Sequence, residues 1–352
     1  MNSNNLILFF LLIVFNIFFY SYFLLILKKY NKNLLVDKEF KKPQAFHSYS
    51  VSTSGGLGIF FSFLILNLYL FLFKQIIYYE YLSFCTLFFV LGFSDDLKLN
   101  IKPKFRLILM LIFLIFLVIF NKFYITNTGI RFLNGFLEID IFAVFFMCLC
   151  FLFIINGSNL IDGYNGLLST HTLIILISLF FINFFNENID LSFLIFFSIL
   201  IIFTFFKYNF PKAKVFLGDG GSYFLGSFIA ISVIKTSIEN PSISPFYFCI
   251  LLFYLFFEVF FSFFRKIYIE RRSPLFPDKK HLHMLLYKIL LKRNKNKLKS
   301  NYQVSVIINS IYLLLTLPAI FFMNNGIFCK YYSISFFIVY ISAYKIMYEK
   351  NK

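Results

Sequence analysis

Four aspartates in three short polar turns carry the chemistry needed to hold a divalent cation against a phosphate. They are Asp95 and Asp96 in Gly92-Phe93-Ser94-Asp95-Asp96, Asp162 in Asn156-Gly157-Ser158-Asn159-Leu160-Ile161-Asp162-Gly163, and Asp219 in Phe216-Leu217-Gly218-Asp219-Gly220-Gly221-Ser222. Each turn ends a hydrophobic stretch. Carboxylates are costly beside a bilayer, so their gathering there points to a metal and phosphate site at a membrane surface. Mg²⁺ is held by one or two carboxylates plus waters and substrate phosphates, which suits Asp95, Asp96 and Asp219, with Mn²⁺ as a substitute. An interfacial helix cap is the weaker alternative for any one of them taken singly. The glycines and asparagines free backbone N–H groups to approach a phosphate or nucleotide. Asn156, Asn159 and Asp162 are spaced by three and share a face if helical, where they could bind a nucleobase edge, a ribose or an acetamido group. Hydrogen bonding at a helix end is the alternative for these three.

A fourth polar run, from Arg271 to His283, contains Asp278-Lys279-Lys280-His281-Leu282-His283. Two histidines at this spacing share a face on a strand but not on a helix, and a zinc site would need further ligands nearby. Among so many basic residues, His281 and His283 suit contacts to a diphosphate. His47 lies in another polar segment, whereas His171 lies inside an apolar stretch and reads as structural. Glu258 interrupts a Phe-rich run seven residues before Arg265, on the same helical face. It reads either as a paired charge or as a substrate-facing group.

The elements that must position these residues are membrane helices. The chain has 352 residues, 60% of them hydrophobic and 14% charged, with a mean hydropathy of +0.81, which excludes a soluble globular domain. A hydrocarbon core of roughly 30 Å needs about 20 apolar residues per helix. Eleven stretches fit, near 6–27, 56–73, 76–93, 105–120, 139–156, 166–185, 190–206, 215–235, 244–264, 303–323 and 327–347. Their unbroken Phe, Leu and Ile runs exclude a transmembrane barrel, so the expected fold is an all-α polytopic membrane protein. Counted over alternate loops, 28 of the 33 basic residues fall on one side. This split predicts an N-terminus outside, a C-terminus inside and every acidic turn on the cytoplasmic side. It also accounts for the net charge of +17 through anionic headgroups, without nucleic acid. The first apolar run lacks a basic start and a small-residue cleavage site and reads as a span. The five cysteines form no Cys-x-x-Cys pair and read as core residues. One membrane-embedded domain, residues 1–352, is expected, with a cytoplasmic histidine loop at 265–302. A transporter or flippase for lipid-linked sugars is the competing class. Such proteins place polar groups at broken helices near the midplane, with internal repeats, and neither feature is evident here.

In order and spacing, the four blocks resemble the polyprenyl-phosphate N-acetylhexosamine-1-phosphate transferases of bacterial envelope synthesis, over most of the chain. Asp95-Asp96 with Lys104 and Arg106 resembles the family's double-aspartate loop, and Asn156 to Leu167 its Asn-x-x-Asn-x-x-Asp-Gly block. Lys214 to Ser222 resembles its Phe-x-Gly-Asp-x-Gly-Ser block, and Asp278 to His283 its histidine loop. His47 and Gly55-Gly56 resemble its first cytoplasmic loop. The chain departs from the pattern at Met284, where another histidine is usual, and at Ser52 and Thr53, which replace Pro and Arg. Its histidine loop is closer to enzymes using simple UDP-N-acetylhexosamines than to those using the muramoyl-pentapeptide nucleotide. The resemblance implies transfer of a sugar 1-phosphate from a UDP-N-acetylhexosamine to polyprenyl (undecaprenyl) phosphate at the cytoplasmic face of the bacterial inner membrane, releasing UMP. It implies Mg²⁺ on Asp219 with Asp95 or Asp96, and nucleotide contacts from Asn156, Asn159 and Asp162. It further implies charge stabilisation by His281 and His283 with Lys104 and Arg106, and a substrate contact from His47. Direct attack and a covalent aspartyl-phosphate route both stay open, as does a homodimer.

Overall fold

The computed structural model describes residues 3–23, 35–37, 50–99, 101–274 and 278–352; His47 lies outside them. Eleven long helices and two short ones account for most of the described residues. In order they are α1 (Ser3–Phe18), α2 (Gly55–Tyr69), α3 (Tyr79–Asp96), α4 (Pro103–Phe120), the short α5 (Arg131–Leu137), α6 (Asp140–Ile161), α7 (Leu167–Phe185), α8 (Ile189–Asn209), α9 (Gly218–Glu239), α10 (Pro245–Phe264), the short α11 (Leu282–Asn294), α12 (Lys297–Phe321) and α13 (Gly326–Glu349). Ten of the long helices are long and apolar enough to cross a membrane. The eleventh, α3, carries Glu80, Asp95 and Asp96 and packs against α9 inside the same bundle. The chain is an all-α, multi-pass membrane protein.

Local sequence sets the helix starts. Pro103 and Pro245 occupy first turns, where the missing N–H costs nothing. The side chains of Ser244, Asn296 and Asn325 cap α10, α12 and α13 by accepting from Phe246, Lys299 and Phe328 N–H groups. Two helix ends run past their apolar stretches. α3 continues to Asp96 and α6 to Ile161, so the polar turns expected there are last helical turns instead. Large apolar side chains such as Phe116, Ile141 and Phe321 stay exposed on the outside of the bundle, as a lipid-facing surface requires.

α9 is the central element, buried along nearly its whole length and packed against α2, α3, α6 and α7. Without a hydrophobic force between helices in lipid, close backbone approach through small residues does the packing. A methyl group on Gly56 of α2 would lie 2.5 Å from Gly221 Cα of α9, so only glycine fits at that crossing. The segment before α9 is tied down as well. Val36–Asp37 pairs antiparallel with Val51–Ser52, and Ser52 bridges in parallel to Val215. The Phe216 N–H donates to Ser52 O at 2.7 Å, and the Gly55 and Gly56 N–H groups donate to Phe216 O and Leu217 O at 2.9 and 2.8 Å.

Candidate active site

Three helix ends meet at one end of the bundle: the last turn of α3, the last turn of α6 and the first turn of α9. The Asp96 carboxylate accepts from the Asp219 and Gly220 N–H groups, both at 2.9 Å, and so caps α9 from a different helix. Gly218 holds φ +79°, and the Asp96 carboxylate occupies the space a Cβ there would need. Asp219 is thereby fixed at the start of α9. Asn159 Nδ2 donates to Asp219 Oδ1 and to Ser222 Oγ, each at 2.9 Å, while Ser222 Oγ donates to Asp219 O at 3.1 Å. Arg106, in the first turn of α4, pairs through Nη1 with Asp95 Oδ2 and lies 3.5 Å from Asp219 Oδ2. Its guanidinium sits 5.7 Å from the Tyr223 ring centroid.

Asp162 follows directly on α6. Burial, and next the charges of Asp219 and Asp96, push its carboxyl well above the usual carboxylate range. That favours the protonated form, which offers an O–H donor beside an acceptor oxygen. The loop beyond it is anchored from three directions. Asn165 N–H donates to Asn301 Oδ1 at 2.8 Å, Asn165 Nδ2 to Pro211 O at 2.9 Å, and Gly166 N–H to Asn209 Oδ1 at 2.6 Å.

The histidine segment forms a second cluster. His281 Nδ1 meets Glu258 Oε1 at 3.0 Å, and its Nε2 lies 3.5 Å from Asp278 Oδ1. Glu258, 1% exposed, also accepts from Leu282 N–H at 3.1 Å and Tyr340 OH at 2.7 Å. Arg265 instead pairs with Asp278 at 2.7 Å and Glu270 at 2.8 Å, so Glu258 answers a histidine 23 residues downstream rather than Arg265 on its own helix. Burial alone would raise Asp278, but His281, the Lys280 backbone N–H and Arg265 outweigh it and hold the carboxyl at about 2. His283 Nδ1 lies 3.3 Å from Tyr254 OH, and burial pushes its imidazole down to about 4. The His281 and His283 rings lie parallel with centroids 5.5 Å apart, both buried. His283 packs edge-on against Tyr164 at 5.7 Å, so this cluster backs the Asp162 loop.

Asp95, Asp96, Asp219, Arg106 and Asn159 therefore form one connected cluster, with Asp162 in electrostatic reach. Asn156 is elsewhere, donating to Leu152 O at 2.8 Å and lying 3.9 Å from Met110 Sδ of α4. Lys104 is exposed. His171 is buried, with Nδ1 3.2 Å from Asn309 Oδ1. Sequence reasoning passed over Ser222 and Tyr223, although both lie within or beside the Asp219 block. It also passed over Tyr340, whose link to Glu258 crosses 82 residues.

Among the described residues, no three His, Cys, Asp or Glu side chains converge to hold a metal on their own. Two carboxylate oxygens, Asp95 Oδ2 and Asp219 Oδ2, do share one cation in Arg106, and two such oxygens suffice for Mg²⁺ with substrate phosphates.

Residues 78–237 match glycosyl transferase family 4. The undecaprenyl-phosphate alpha-N-acetylglucosaminyl 1-phosphate transferase of Thermotoga maritima is 33% identical over 42% of this chain and 45% of its own. The phospho-N-acetylmuramoyl-pentapeptide-transferase of Clostridium perfringens is 32% identical over 43% and 50%. The chain thus spans about half the length of these two relatives. The phospho-N-acetylmuramoyl-pentapeptide-transferase of Dictyoglomus turgidum is 32% identical over 62% of this chain and 72% of its own. The chain belongs to glycosyl transferase family 4. The family match opens just before α3 and closes within α9, so it takes in the whole carboxylate cluster and stops short of the histidine cluster.

Proposed function

We propose that this family 4 protein transfers N-acetylhexosamine 1-phosphate from a UDP-sugar to polyprenyl phosphate, releasing UMP, at the cytoplasmic face of a bacterial inner membrane. One observation carries the reading: Asp95 and Asp219, 124 residues apart in sequence, share a cation at the end of a bundle of membrane helices. A greasy acceptor and a water-soluble donor can meet only at such a boundary.

In the reaction an oxygen of the lipid phosphate attacks the β-phosphorus of the UDP-sugar, and the bond from that phosphorus to the bridging oxygen breaks to release UMP. One phosphoanhydride replaces another, so positioning and charge neutralisation are the main demands. Mg²⁺, or Mn²⁺ in its place, held by Asp95 and Asp219, supplies neutralisation of the diphosphate. Asp96 fixes the start of α9 and so the direction of Asp219. Asn159 holds Asp219 Oδ1, leaving Oδ2 toward the cation. In this reading Asp162, within electrostatic reach of Asp96 and Asp219, contacts the nucleotide. The lipid phosphate, with a second pKa near 6, is already mostly dianionic at neutral pH, so little general-base help is needed. His281 and His283, buried behind the Asp162 loop, support that loop.

A muramoyl-pentapeptide nucleotide is the second donor to consider, because a relative matched over 72% of its own length carries that name. Purified protein with polyprenyl phosphate and Mg²⁺ is expected to release UMP from UDP-GlcNAc or UDP-GalNAc, and more slowly from the muramoyl-pentapeptide nucleotide. Asp219→Asn is expected to lower release by about 100-fold or more. No release from any of the three donors would overturn the proposal.

A further inference from the structure

The cation between Asp95 and Asp219 is a side chain of the protein itself, and the oxygens it covers are those a metal would need. The Asp96 carboxylate is committed to two backbone N–H groups of α9, and Asp219 Oδ1 to Asn159. Of the oxygens that remain, Asp95 Oδ2 and Asp219 Oδ2 both face Arg106 Nη1. Two carboxylates this close repel unless a positive charge lies between them. A guanidinium supplies one charge, whereas a divalent ion supplies two from a smaller volume. Both cannot occupy the same oxygens. The Arg106 side chain is 22% exposed and lies beside the Tyr223 ring, an aromatic face that can receive a displaced guanidinium. Arg106 also stands on the turn that carries exposed Lys102 and Lys104, where a guanidinium freed from carboxylates becomes a fork for phosphate oxygens.

We infer that Arg106 is an exchangeable counter-ion: it holds Asp95 and Asp219 together until a divalent cation displaces it, and the freed guanidinium then takes a phosphate oxygen of the donor. This rests on the metal-site reading given under Proposed function. Metal and phosphate binding are then coupled, each favouring the other by the same factor.

The test is Mn²⁺ binding to the purified full-length protein in detergent, followed by electron paramagnetic resonance of free Mn²⁺, with no substrate present. Arg106→Gln removes the competitor and is expected to tighten Mn²⁺ about tenfold. Arg106→Lys, which keeps the charge but not the fork, is expected to tighten it less. Adding UMP is expected to tighten Mn²⁺ on the wild type and to do so much less on Arg106→Gln. Folding of each variant is checked by gel filtration and thermal melting, and the Lys variant serves if the Gln variant does not fold. Unchanged or weaker Mn²⁺ binding in folded Arg106 variants, with wild-type binding lost in Asp219→Asn, would overturn the role of Arg106 alone. A wild type that binds no Mn²⁺, or binds it equally after Asp219→Asn, would overturn the metal-site reading beneath it.

Discussion

The four aspartates divide the work by what their oxygens already hold. Asp96 has both oxygens on α9 backbone N–H groups, so its first duty is structural. Asp96→Asn keeps one acceptor, presents an NH₂ to the other N–H and removes a negative charge from a helix N-terminus. It is expected to cost about 1 kcal/mol, read as a lower melting temperature in detergent. Asp219→Asn relieves repulsion instead and is expected to leave melting unchanged or raised while UMP release falls. His283 gives a pH dependence of known sign. Its folded pKa is depressed to about 4, chiefly by burial. The Glu258 and Asp278 charges oppose that shift, His281 adds to it, and Tyr254 and Tyr164 pack beside the ring. Between about pH 4 and the unfolded value near 6.5, the unfolded chain binds a proton that the folded one refuses, so stability rises with pH across that window. Melting temperature is expected to fall as pH drops from about 6.5 toward 4, and His283→Gln is expected to flatten the slope.

At the level of helices, the crossing of α3 and α9 sets the site. A Cβ on Gly92 would collide with the Asp219 carbonyl and lie 2.8 Å from Gly220 Cα, all backbone that cannot swing aside. Gly92→Ala is expected to push the helices apart, costing about 1–3 kcal/mol and about tenfold or more in UMP release. Gly135→Ala on α5 meets nothing within 4 Å and serves as the control, with no change in either measurement. The long helices were legible in the sequence because a bilayer demands length and apolarity, and ten of the eleven carry both in plain view, whereas the short α5 and α11 do not. Helix ends were less so, since the last turns of α3 and α6 are polar and an apolar window stops short of them. Asn156 and Asn159 share a face, as their spacing predicts, yet about 4.5 Å of rise along α6 separates them, and only Asn159 reaches Asp219. The partners of His281 lay furthest from view. Glu258 comes from α10, and Glu258 in turn is met by Tyr340 of α13. Such pairings depend on tertiary packing that local spacing cannot encode.

For the whole molecule, the uneven distribution of basic residues makes a claim about sidedness that labelling can check. Lys122 and Lys295 are both exposed and lie in loops that the charge split assigns to opposite sides. In intact bacterial cells, a membrane-impermeant maleimide is expected to label Lys122→Cys above the wild-type background, and Lys295→Cys only after lysis. The reverse pattern would place the carboxylate cluster outside and remove access to a cytoplasmic nucleotide.

The pinned start of α9 also has a temporal consequence. Its partners are Ser52 and Gly55–Gly56, Asp96, and Asn159, each contributed by an earlier segment. During synthesis those segments enter the bilayer first, with Asp96 facing no helix N-terminus and Asn159 no carboxylate. The carboxylate cluster therefore assembles only after residues 219–222 have been made and α9 has joined the earlier helices. A nascent chain arrested before that point carries most of the acidic side chains and none of the assembled centre.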